Sequence, residues 1–223
     1  MIYPMSQQNE SMVSLVSYLI ETTEGLLLKP VETFQKNTDT SFSLTFQYFV
    51  ILTVINAVLS VVILASSPYS YSLLQGSSVL YNILIAILGS VIGLFIFGLI
   101  QHIFVLLMGG KYGLEQTLKV IMYSAVPGLV LGWIASFFVT STAATFDPFT
   151  LAFSDWQTMA AMGTVVILLS IILFIWQLVL LVLGISELHR MSTTSAIAAV
   201  LLPYVILFLI GVIFGLAVMS FFI

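Results

Sequence analysis

Five long apolar runs, parted by short stretches that hold most of the polar residues, set the pattern of this chain: residues 44–65, 79–108, 117–139, 159–186 and 195–223. Each is long enough to cross a hydrocarbon core of about 30 Å as a helix rising about 1.5 Å per residue. An unpaired backbone amide in lipid is costly, and a helix pairs its own. A closed barrel would alternate polar and apolar positions, and these runs do not. The pattern predicts an all-α fold, a polytopic membrane bundle of five transmembrane helices over residues 41–223. The second, fourth and fifth runs exceed the length needed, which predicts tilt or protrusion.

Residues 1–40 form a separate amino-terminal segment. Within it, residues 12–28 have helical periodicity: Met12, Leu15, Val16, Leu19, Ile20, Leu26 and Leu27 share one face, with Ser14, Ser17, Glu21 and Glu24 opposite. This is an amphipathic helix suited to an interface rather than to a span. Its polar face is acidic, so lying on lipid and docking on the bundle both remain open. Lys29-Pro30 ends or turns it. The start is read as no secretory signal, because a basic leader and a small-residue cleavage site are missing. Asn9-Glu10-Ser11 matches a glycosylation sequon but falls on the side read below as cytoplasmic. Ser154 with Gln157 reads as a capping box for the fourth helix, and Ser192, Thr193 and Thr194 as caps for the fifth. Gly109-Gly110 stops the second helix, and Gly113 with Glu115 opens the third.

Charge orients the bundle. The chain holds only five Lys and Arg against nine Asp and Glu, for a net charge of −4. Lys29 and Lys36 precede the first span, Lys111 and Lys119 flank the second loop, and Arg190 follows the fourth. Loops 66–78 and 140–158 hold no Lys or Arg. All the cations fall on one side, which the positive-inside rule makes cytoplasmic. The amino terminus is then inside and the carboxyl terminus outside. With 6% charged and 61% hydrophobic residues, the surface must face lipid rather than water. Five scattered cations exclude a nucleic-acid-binding stripe. The absence of cysteine excludes disulfides and thiolate chemistry.

Candidate chemistry is sparse. Gly89/Gly93, Gly128/Gly132 and Gly211/Gly215 each have the four-residue spacing that lets a second backbone approach. Packing inside the bundle is the expectation, with homo-oligomerisation as the alternative. Polar residues inside spans gather on the cationic side. Gln101 and His102 lie in the second span, Tyr123 and Ser124 in the third, Gln177 in the fourth, and Glu187, His189 and Arg190 at its end. Asn56 alone sits near mid-span. Interhelical hydrogen bonding is the plain reading, and a docking surface or vestibule the functional one. His102 and His189 lack metal-ligand spacing, so no metal or other cofactor is expected. Asp39, Asp147 and Asp155 lie in loops, Ser124 has no nucleophile-elbow motif, and the glycines around Lys111 do not make a P-loop. No catalytic residue is expected.

The stretch from His102 through GGKYGLEQTLKVIMYSAVP (residues 109–127) resembles the core signature of the Yip family of five-span membrane proteins, named for interaction with Ypt/Rab GTPases. Pro30 to Phe34 resembles the Pro-x-x-x-Phe segment before that family's first span. Trp176, LGISELHRMS (residues 183–192) and Pro203 fit its later spans. The likeness covers residues 26–215 and implies vesicle-traffic or membrane-shaping roles. The chain departs from eukaryotic members in having no long amino-terminal extension and in carrying Lys29-Pro30 where a Leu-Tyr-Gly-Pro-like motif belongs. It is more similar to compact prokaryotic members of the cell membrane, and Rab-type GTPase binding is not carried over.

These readings lead to a non-enzymatic membrane protein that organises membrane or scaffolds other membrane proteins through its cytoplasmic face. The residues singled out are Gln101, His102, Lys111, Glu115, Lys119, Tyr123, Pro127, Gln177, Glu187, His189 and Arg190. Pro127 is expected to free the carbonyl of Tyr123 and bend the third span. The alternative is a small-molecule or lipid transporter or channel using a polar vestibule.

Overall fold

Apolar runs without backbone partners in lipid become helices, and the computed structural model places nine among the residues it describes (5–67, 74, 77–143, 146–147, 152–153 and 156–220). They are α1 (Met5–Leu28), α2 (Pro30–Lys36), α3 (Phe42–Ala65), α4 (Val79–Leu107), α5 (Leu114–Ser124), α6 (Val126–Leu131), α7 (Trp133–Ala143), α8 (Trp156–Leu188) and α9 (Thr193–Ser220). Five stretches are long and apolar enough to span a membrane: Phe42–Ala65, Val79–Leu107, Leu114–Thr140, Ala160–Leu188 and Thr193–Phe214. The chain is an all-α integral membrane protein. Its one strand pair among the described residues sets Phe146 against Phe153 in the loop before α8.

Local chemistry sets the helix ends. The Ser41 hydroxyl accepts from the Leu44 N–H at 3.3 Å, and Ser78 from Tyr81 at 3.2 Å. Ser192 accepts from Ser195 at 3.1 Å, so it caps α9. Gly109, at φ 92°, lets the chain turn out of α4. The capping box expected at Ser154 lies outside the described residues, as does the side-chain environment at Met12 and Gly215.

The third span is broken, as its proline predicts. Pro127 has no N–H to give the Tyr123 carbonyl, and the helix interrupts at Ala125 between α5 and α6. Three features differ from expectation. First, the amino-terminal helix begins at Met5 rather than near residue 12. Second, Lys29-Pro30 ends α1 at Leu28 as expected but also starts a further helix, α2, with Pro30 in its first turn. Third, the face of α1 that docks is Tyr18, Thr22 and Leu26, while Val16 and Ile20 are 53% and 61% exposed. The partner surface explains this, since it presents tyrosine hydroxyls.

The Gly-x-x-x-Gly pairs differ in what surrounds them. Nothing lies within 4 Å of a Cβ built on Gly89, Gly93, Gly128 or Gly211. The pair Gly128/Gly132 does meet the first span: Asn56 Nδ2 donates to the Gly128 carbonyl at 3.4 Å and lies 3.4 Å from a Cβ built on Gly132. Close packing occurs instead at solitary glycines. A Cβ on Gly184 would stand 2.7 Å from the Phe34 ring and from Val120, and one on Gly98 would run into Leu118. Spacing identifies a strip that can be approached, not a strip that is.

Candidate functional site

α5 is the hub. It packs against α3, α4 and α8, and every residue from Thr117 to Ser124 is buried. Its polar side chains therefore need protein partners. Tyr123 finds two: its hydroxyl lies 2.8 Å from that of Tyr18 on α1 and 3.1 Å from Thr45 Oγ1 on α3. Tyr48 beside it pairs with Thr23 at 2.9 Å. Edge-on ring contacts of Tyr18 with Tyr48 and of Phe34 with Tyr123 fill the space between. Hydroxyls and rings together clamp α1 and α2 onto the bundle.

Lys119, 1% exposed, sends its ammonium to the Thr38 carbonyl at 3.0 Å. That carbonyl lies just beyond the end of α2, where the helix dipole favours a cation. Asn37 donates to the Thr33 carbonyl at 2.9 Å and accepts from Thr40 at 3.1 Å, closing the same turn. α2 is thus held by Phe34 in its middle and by Lys119 at its end.

On the other side of α5, Thr117 bridges two histidines. Its hydroxyl is 2.8 Å from His102 Nδ1 on α4 and 3.0 Å from His189 Nε2 after α8. A hydroxyl has one proton and two lone pairs, so it donates to at most one ring and accepts from at least one. Burial, then the neighbouring His102, hold the pKa of His189 down from 6.5 to about 4, so this ring is neutral at physiological pH. Its Nδ1 is buried without a hydrogen-bond partner. Tyr112 packs edge-on against His189, and the Arg190 guanidinium lies 5.7 Å from the centre of the Tyr112 ring. Among the described residues no three His, Asp or Glu side chains gather as metal ligands.

Gln101, fully buried, donates from Nε2 to the Ala199 carbonyl at 2.9 Å. Ala199 is the residue whose carbonyl Pro203, four positions later, cannot serve. The glutamine of the second span thereby completes a hydrogen bond that the fifth span cannot make for itself.

The family model described as the Yip1 domain matches residues 25–215 of this chain. The chain belongs to that family. No curated protein and no solved structure matches it.

Within this Yip1 domain, the signature GGKYGLEQTLKVIMYSAVP is the turn and hub helix just described. Gly109 supplies the positive φ, and Gly110 packs against Val105 and His189. Thr117, Lys119 and Tyr123 supply the three polar ties, and Pro127 ends the hub. Of the residues singled out from sequence, His102, Lys119, Tyr123 and His189 meet in these ties around α5, and Gln101 ties α4 to α9. Glu187 accepts from Gln35 of α2 at 3.3 Å. Lys111 and Glu115 are exposed, Arg190 is exposed at φ 48°, and Gln177 is partly buried without a side-chain hydrogen bond among the described residues. Sequence reasoning did not single out Thr117, Tyr18, Thr45 or the Thr38 carbonyl. The one available signal for Thr117 was its place within the signature stretch, between the singled-out Glu115 and Lys119.

Proposed function

We propose that this Yip1-domain protein is a non-enzymatic organiser of membrane and membrane-protein partners, acting through the cation-bearing end of its bundle, and that this end faces the cytoplasm of a prokaryotic cell. The observation that carries the reading is the clamping of α1 and α2 onto α5 by Phe34, Lys119 and Tyr123. A scaffold needs a formed surface, and buried ties give these two helices one. Several polar groups of the spans support it as well, because Gln101, His102, Lys119 and Tyr123 each have a protein partner, although Thr53 Oγ1 and Gln101 Oε1 are buried without one among the described residues. Even mid-span Asn56 bonds the Gly128 carbonyl at 3.4 Å and accepts from Ser60 at 3.1 Å. A permeation path would need such groups free to meet a solute.

The test is co-purification of the full chain from native membranes in mild detergent, beside a Phe34→Ala variant that loosens α2. A protein partner recovered with the parent and lost with the variant is expected. A solute flux in proteoliposomes, unaffected by Phe34→Ala, would overturn the reading. Orientation is checked separately, using the lack of native cysteine. A Lys111→Cys chain should react with an impermeant maleimide only after cells are permeabilised.

A further inference from the structure

Two cavities meet along α1. The first, of about 320 Å³, opens between α1 and α2 and is lined by Glu21, Glu24, Lys29, Glu32 and Lys36. The second, of about 570 Å³, is an apolar groove between α1, α3 and the α6–α7 segment, lined by Leu19, Leu27, Ile51, Ile55, Leu129 and Trp133 among others. Glu24 and Leu28 line both. A charged recess thus continues directly into an apolar groove of a size usual for small-molecule sites, about 300–1,000 Å³.

The occupant follows from the charges and the surroundings. Lys36 is engaged with Glu21 at 3.0 Å. Among the described residues Glu24, Glu32 and Lys29 have no ion-pair partner, so the recess offers two carboxylates and one ammonium. A purely anionic headgroup meets the carboxylates, and a quaternary ammonium has no N–H to give them. A primary ammonium has three donors, and Lys29, on the lining of the same recess, supplies the cation for the phosphate. The α1 residues next to the groove, Val16, Ile20 and Leu28, are 53%, 61% and 71% exposed, as suits a helix whose outer face meets lipid. We infer that the α1–α2 recess and its adjoining groove bind one phospholipid with a zwitterionic, primary-ammonium headgroup, with an acyl chain lying against Trp133. The inference goes beyond the partner-organising role and does not depend on it.

Trp133 provides the probe. In a chain carrying Trp156→Phe and Trp176→Phe it is the remaining tryptophan of three. The full-length protein is reconstituted in phosphatidylcholine vesicles with increasing fractions of lipid bearing brominated chains, which quench indole fluorescence on contact. Brominated phosphatidylethanolamine should reach half-quenching at a mole fraction about fivefold lower than brominated phosphatidylcholine or phosphatidylglycerol, the selectivity expected of partly exposed ion pairs. With Glu24→Gln and Glu32→Gln together, the three lipids should quench alike. Equal quenching by all three in the parent, or a preference for phosphatidylglycerol, overturns the inference. So does an ethanolamine preference that survives the double glutamine change. The parent comparison alone decides the matter if that variant fails to fold.

Discussion

α5 and the far half of α9 are both helical and both belong to membrane spans, yet they live in opposite surroundings. From Thr117 to Ser124 every residue of α5 is buried, lysine, tyrosine and serine included. From Val205 to Phe214 every residue of α9 is exposed, and nearly all are large and apolar. In water the order would be reversed. Lipid accepts Leu, Ile and Phe as readily as a protein interior does, so apolarity alone does not draw helices together. Polar groups do, because they have no partner in the hydrocarbon. The end of the bundle that is richest in polar side chains is therefore the end where the helices lock.

Substitutions at the two ends should break this comparison or sharpen it. The largest effect is expected from Gly184→Leu, which drives a side chain into the space held by Phe34 and Val120. Thermal unfolding in detergent should show a loss of about 3 kcal/mol, whereas Gly211→Leu, facing open space, should change stability by less than about 0.5 kcal/mol. Equal effects would mean that the far end is packed as tightly as α5. Next, Lys119→Met strands the Thr38 carbonyl and should cost about 2 kcal/mol, while the same change at exposed Lys111 should be nearly silent.

The histidine bridge gives a pH signature. The folded pKa of His189, about 4, lies below its unfolded value of 6.5, so the unfolded chain binds more protons between these values. The stabilisation is complete above pH 6.5 and is lost as pH falls toward 4, by about 2 kcal/mol after allowance for solvent screening. His189→Gln should flatten the unfolding profile across that window, and an unchanged slope would assign it elsewhere. Among the packed sites the smallest effect is expected at Tyr123→Phe, about 1 kcal/mol from the lost hydroxyl ties to Tyr18 and Thr45. Protease cleavage within α1 should then rise, because the helix is less firmly held.

The five spans were legible because each is a continuous apolar run, and the polar end was legible because a buried Gln, His or Lys within a span is rare and needs a cause. The partners of those groups were not legible. Thr117 carries no motif, and its role exists only because α4 and the end of α8 converge on it from 15 and 72 residues away. α2 was missed because seven residues show too little periodicity, although Pro30 in its first turn was a fair signal. Which face of α1 docks was left open by the sequence pattern, because an apolar stripe suits lipid and a bundle equally. In a membrane bundle it is Tyr18 that turns inward and Ile20 that turns out. Of the glycine pairs, Gly128/Gly132 meets Asn56 of the first span while no described residue stands against Gly89 and Gly93, because spacing along one helix does not say which neighbour arrives.

The bond from Gln101 to the Ala199 carbonyl has a bearing on how the bundle is assembled and how its sequence can change. Because Pro203 has no N–H, the Ala199 carbonyl of α9 is unpaired or hydrated until α4 is beside it. Insertion of the last span and its lateral docking are therefore coupled steps, with one amide arriving to meet one carbonyl. The same geometry makes residues 101 and 203 a single mutational unit. Losing Gln101 is tolerable where residue 203 again carries an N–H, and a proline at 203 is tolerable where residue 101 can donate.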